Sequence, residues 1–225
     1  MLALAAVVLA LAAPLPDLDQ APPLGVHVVA KQGRLLLVFG SAVDNLGPGE
    51  LVVEGRRVGN VMRTWQVVGA RRYPLRVRLR YVRSETHRHW HFPNFERYDL
   101  RRLDGTLVGR DRKTGFCLRD SYETQALNRR PVWTGECRRN QPQAARIREG
   151  ISVGFGDDYV PQKEGQSIDV THVPPGRYML IHTANPDHVL RERTYLNNSA
   201  AVLIALNGRD VKVLGRWGTW LGRPV

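Results

Sequence analysis

Lysine is scarce in this chain: Lys31, Lys113, Lys163 and Lys212 are the only four among 33 basic side chains, so arginine supplies the other 29. Acidic residues number 21, which leaves a formal charge of +12. Two cysteines exclude a zinc-finger or disulfide-dense scaffold while permitting one bridge. No apolar run reaches the roughly 20 residues that a membrane-spanning helix needs. The longest, residues 1–13 (MLALAAVVLALAA), has the apolar core of a secretory signal, with Ala10, Ala12 and Ala13 where a peptidase would cut, although the positively charged lead is missing. Export to a periplasmic or extracellular space follows, with no membrane span after removal of the signal and one mature domain over 14–225. That compartment permits Cys117 and Cys137 to pair, closing a loop worth about 3 kcal/mol.

Long helical periods are also missing. The 21 glycines and 14 prolines are spread through the chain and suit short strands joined by turns. Residues 26–31, 34–39, 51–54, 178–182 and 200–205 read as strands. Between them lie turn signals such as Gln32-Gly33, Pro174-Pro175-Gly176 and Asn207-Gly208. Residues 75–81 alternate strictly, which predicts a strand with Arg76, Arg78 and Arg80 as a ladder on one face. Only 141–148 offers a short helix. The fold class is therefore all-β, an antiparallel β-sandwich with long irregular loops carrying the site over about 104–165 and little helix.

Three of the seven histidines fall within five residues, His87-Arg88-His89-Trp90-His91. On a strand the three imidazoles share one face, but a flat strand sets the outer two about 13 Å apart, too far to share one ion. The strand must bend or bulge. Three neutral imidazoles without a thiolate or carboxylate suit copper(II) first and zinc second.

These histidines, with the motifs that follow, resemble the catalytic domain of the lysyl oxidase family. The His-x-His-x-His run is followed by Phe95 and by Tyr98-Asp99-Leu100. Lys113-Thr114-Gly115-Phe116-Cys117-Leu118-Arg119-Asp120 resembles the family's Lys-x-x-Phe-Cys-Leu-x-Asp. Gly150-Ile151-Ser152-Val153-Gly154, Asp157-Asp158-Tyr159, Gln166-Ser167-Ile168-Asp169, Pro175-Gly176-Arg177-Tyr178 and Asn197-Asn198 continue the likeness in order, and Pro16-Asp17-Leu18 resembles the domain's start. The resemblance implies a copper amine oxidase that deaminates primary amines, peptidyl lysine among them, to aldehydes, passing electrons to O2 to make H2O2. It places copper on His87, His89 and His91, and a self-made cofactor, lysine tyrosylquinone, on Lys113 and Tyr159. Arg110 and Arg112 flank Lys113 and disfavour its ammonium form. Where animal members have a histidine before Tyr-Asp-Leu, this chain has Arg97, which cannot accept a proton. Asp157 or Asp158 then becomes the candidate general base. A structural calcium site is implied on Asp17, the Leu18 carbonyl, Glu192, Asn197 and Asn198, all oxygen donors.

A +12 protein repels cationic amines at long range. Either Asp157, Asp158 and Glu164 make a local negative mouth, or the substrate is not a lysine-rich protein. The arginine ladder could instead hold an anionic envelope polymer, and export argues against nucleic acid. The alternatives to the oxidase are a non-catalytic copper-binding envelope β-sandwich and a polyanion-binding module.

Overall fold

The computed structural model describes residues 13–84, 87–111, 115–124, 128–161, 163 and 165–218. The signal segment read over 1–13 lies, apart from Ala13, outside the described residues. The chain opens with β1 (Leu18–Gln20), β2 (Leu24–Lys31), β3 (Arg34–Asn45), β4 (Leu51–Val58), β5 (Val61–Val68) and β6 (Arg71–Pro74). There follow β7 (Arg80–Arg83), β8 (Arg88–Pro93), β9 (Glu96–Arg101), β10 (Leu107–Arg110), β11 (Gly115–Phe116) and β12 (Tyr122–Glu123). The last six are β13 (Arg146–Ile151), β14 (Phe155–Tyr159), β15 (Ser167–Asp169), β16 (Gly176–Ala184), β17 (Ser199–Asn207) and β18 (Asp210–Trp217). Every pairing is antiparallel, and no helix occurs among the described residues. The all-β reading holds.

Two sheets face each other across the main core. The twelve-residue β3 carries one of them, with β1, β14 and β12 along one half and β2 and β15 along the other. The second runs β10-β9-β16-β17-β18. Strand periodicity builds the interface: Tyr178, Leu180, His182 and Ala184 alternate inward along β16. Phe39 of β3 meets Tyr98 of β9 edge-on at 5.0 Å and His182 of β16 at 4.9 Å. His182 is fully buried against the Phe39 and Tyr98 rings. Two smaller sheets, β13-β4-β5-β6 and β11-β8-β7, complete the fold.

Two local expectations fail. Residues 75–81 keep their inward–outward alternation, but ladder pairing resumes only at Arg80. Thr64 captures the segment, its carbonyl accepting from the Leu75 N–H and its hydroxyl from the Leu79 N–H, and Pro74 has no N–H to extend β6. Residues 141–148 form a turn and then enter β13 in place of a helix. Pairing of Arg146–Ile151 with β4 buries Ile147 and Glu149 on alternate positions, and that long-range ladder overrides local propensity.

Candidate active site

The site is assembled on the smallest sheet. In the β7–β8 hairpin, Val82 stands opposite His89 and Arg80 opposite His91. His89 and His91 share one face of β8, and His87 reaches it from the hairpin turn. There the His87 N–H donates to Ser84 Oγ at 3.0 Å, and the Ser84 N–H donates back to the His87 carbonyl at 3.1 Å. The turn supplies the bend that the sequence required. Ring centroids of the three buried histidines lie 4.6 to 5.5 Å apart, and Nε2 of His89 and His91 are 2.7 Å apart. Nitrogens bound at about 2.0–2.1 Å to one ion stand only a little farther apart, so His89 and His91 suit a shared copper or zinc ion, and the His87 ring, 5.4 to 5.5 Å from theirs, stands beside them as a third ligand. The opposite face of β8 is pinned by Trp90, whose indole N–H donates to the Gln141 carbonyl at 3.0 Å.

The adjoining β11 touches both the imidazoles and the phenol. Gly115 leaves room for His91: a Cβ here would stand 2.9 Å from His91 Nδ1. Phe116 meets the Tyr159 ring edge-on at 4.5 Å. The Cys117 N–H donates to the Tyr159 hydroxyl at 3.2 Å. Tyr159 is buried at the end of β14, opposite Ser41 of β3. Lys113 and its neighbours Arg112 and Thr114 lie outside the described residues, as does Glu164. Arg110 is already committed to Asp99, at 2.5 Å. Arg97 stands 3.8 Å from the same carboxylate. Cys117 and Cys137 form a disulfide.

His87, His89 and Tyr159 open on a cavity of about 450 Å³ whose lining includes Asp157, Asp158 and Glu136 as well as Arg119, Arg139 and Lys163. Asp157 is buried there, accepting from Ser121 Oγ at 2.8 Å through Oδ1. Burial is the main force on its carboxyl; Asp158 adds to it, the Ser121 hydrogen bond and Arg119 oppose it, and the net result lies well above the ordinary carboxylate range. Asp158 is half-buried on the other face of β14. Burial, then Asp157, also raises the Tyr159 phenol, against the Cys117 hydrogen bond. Ser121 and Gly115 were not singled out from the sequence, because their roles depend on partners in other strands.

The residues named for calcium meet where the chain's early segment crosses 192–198. The Leu18 N–H donates to Glu192 Oε2 at 2.9 Å, Asn198 Nδ2 to Glu192 Oε1 at 2.9 Å, and Asn197 Nδ2 to Asp17 Oδ1 at 3.1 Å. The buried Oδ1 atoms of Asn197 and Asn198 have no hydrogen-bond partner among the described residues. Two such oxygens beside two carboxylates are a donor set that fits a hard cation.

Buried carboxyls give the fold an unusual pH response. Burial, opposed by hydrogen bonds from Ser41 and Tyr98, pushes Glu96 up to about 7. Burial likewise pushes Glu192 to about 7 and Asp44 to about 6. Each keeps its proton in the fold where the unfolded chain has lost it, so stability falls as pH rises from about 4.5 to 7. His182, held neutral by burial, works in the opposite sense below its ordinary range. These carboxyls, with Asp157 and Glu149 raised in the same way, outnumber the one imidazole and set the sign. In chelator-treated buffer, the melting temperature is expected to be several degrees lower at pH 7.5 than at pH 5, since Glu96 alone contributes about 3 kcal/mol. A higher melting temperature at pH 7.5 would contradict this balance.

A sequence model of the lysyl oxidase family matches residues 50–215. The lysyl oxidase homolog 2A of Danio rerio is 31% identical over 73% of this chain and 18% of its own length. The lysyl oxidase homolog 2 of Gallus gallus is 35% identical over 56% of this chain and 15% of its own. The Homo sapiens homolog 2 is 33% identical over the same shares, 56% and 15%. The chain thus spans less than a fifth of the length of these curated relatives.

Proposed function

The chain belongs to the lysyl oxidase family, and from that premise we propose that it is a copper-dependent amine oxidase converting a primary amine, O2 and water into an aldehyde, ammonia and H2O2. The observation that carries this reading is the convergence of three buried imidazoles beside a short strand that touches both His91 and Tyr159. When bound, copper on His87, His89 and His91 supplies one-electron chemistry with O2, and lysine tyrosylquinone from Lys113 and Tyr159 supplies an electrophilic carbonyl for the amine.

The chain's own groups do the rest. The Cys117 N–H and the Phe116 edge fix the direction of the phenol. Asp157 is the general base: Ser121 holds Oδ1, and Oδ2, which has no hydrogen-bond partner among the described residues, takes the proton from the substrate's α-carbon. A carboxyl raised by burial is better matched to proton transfer near neutrality than an ordinary one. Arg97 cannot serve, since it carries no acceptor. Asp158 and Glu136 in the lining offset part of the positive charge that meets an incoming ammonium, which supports primary amines as substrates, peptidyl lysine among them.

The disulfide supports export to an oxidising space, periplasmic or extracellular. No helix among the described residues is long and apolar enough to cross a membrane. Calcium on Asp17, the Leu18 carbonyl, Glu192, Asn197 and Asn198 fastens the early segment to 192–198. Adding calcium at pH 7.5 is expected to raise the melting temperature by several degrees, and Glu192→Gln to remove that response. An unchanged melt on adding calcium to the wild-type chain sinks the site.

The oxidase reading is tested by purification with copper under air, followed by visible absorption and peptide mass analysis. A quinone band with a Lys113–Tyr159 crosslink is the expected result. Copper binding with neither supports a second reading, a non-catalytic copper protein, which the presence of Arg97 in place of the animal members' histidine favours.

A further inference from the structure

Away from the active site, the sheet β13-β4-β5-β6 turns one face of arginines to solvent. Antiparallel register puts Arg146 of β13 directly opposite Arg56 of β4, and Arg56 directly opposite Arg63 of β5. Like charges in such positions repel and cost stability. The same face carries Arg148 and, from β6, Arg72. A groove of about 400 Å³ runs over it, lined by Arg56, Arg72, Arg138, Arg146 and Arg148, with Glu54 the one acidic side chain. Glu54 is shared by Arg56 at 2.9 Å and Arg72 at 3.1 Å. Five guanidiniums therefore face one carboxylate. Arg146 and Arg148 are exposed, and no residue of the described chain supplies a carboxylate to Arg146 or Arg138.

We propose that this groove binds an anionic polysaccharide, a polymer bearing regularly spaced carboxylates, and so anchors the protein to a surface. Charge complementarity selects an anion, because guanidinium forks match carboxylates in bidentate geometry. Extent selects a polymer: four strands about 4.8 Å apart spread the arginines across roughly 15 Å, more than one small anion bridges. Aromatic surface selects sugar over a bare polyphosphate. Trp65 lies half-buried opposite Glu54 on this face, and Trp133 lies over Gly150, where a Cβ would come within 2.9 Å of its ring, with Arg148 5.3 Å above. The disulfide places the chain where such polymers, and not nucleic acids, are the abundant polyanions. The exposed arginines at 76, 78 and 80, to which the sequence pointed, form no ladder and lie outside this groove.

The proposal does not depend on the oxidase reading. The test is titration calorimetry of the whole protein with polygalacturonate, with neutral dextran and with duplex DNA of equal charge concentration. Polygalacturonate is expected to bind in a salt-sensitive manner and dextran not at all. Arg138→Gln with Arg146→Gln should weaken binding by about tenfold or more, while Arg76→Gln with Arg78→Gln should leave it within about twofold. Arg146→Gln alone should melt no lower than the wild type, since it removes a repulsion, which separates loss of binding from loss of fold. Absence of polygalacturonate binding, equal weakening by the 76/78 pair, or tighter binding of the DNA each overturns the proposal.

Discussion

Tyr159→Phe is expected to abolish the quinone absorption and reduce amine turnover to background, while copper affinity stays within about twofold of the wild type. The hydroxyl removed is the one that accepts from the Cys117 N–H, and it is the oxygen that the cofactor's ring chemistry needs. Copper should remain, because His87, His89 and His91 are held by Ser84, by the β7–β8 register and by the space at Gly115, none of which involves the phenol oxygen. The fold should lose about 1–3 kcal/mol for the orphaned N–H, which a thermal melt reads directly. Persistence of the band in this variant would falsify the assignment of Tyr159. Loss of copper together with the band would show instead that the phenol supports the metal centre.

Asp157→Asn should lower kcat/KM by roughly 10²- to 10⁴-fold if its carboxylate removes the α-proton. The sign of the pH dependence adds a second reading. A general base must be ionised, so wild-type activity should decline as pH falls through the raised carboxyl's range. The asparagine variant should lose that acid limb while keeping its quinone band. Asp158→Asn, on the other face of β14, should keep both the limb and most of the rate. If Asp157→Asn retains the acid limb, the base is another group, and Asp157 merely tunes the phenol beside it.

The polymer groove shows how far sequence and structure can diverge over one feature. Counting arginines reveals a strongly basic chain, and alternation over 75–81 suggests where the charge gathers. The structure gathers it on the β13–β4–β5–β6 face: Arg56 and Arg63 meet across the β4–β5 hairpin, and Arg146 joins them only through the pairing of β13 with the distant β4. The helix expected at 141–148 failed because of such a long-range pairing: the edge of β4 offers Arg146–Ile151 six ladder partners, and the last three residues of 141–148 belong to that ladder.

By itself the sequence determined the all-β class, because period-two alternation and dispersed glycine and proline are local properties. It also placed three imidazoles close in the chain and required a bend between them. Tertiary structure decided what stands next to what. That the Cys117 N–H meets the Tyr159 hydroxyl, that Ser121 holds Asp157, and that Leu18 donates to Glu192 all depend on strand registers set by the packing of the whole core. Burial, which lifts Asp157 and Glu96 out of the ordinary carboxylate range, belongs to that assembled interior and is written in no single segment.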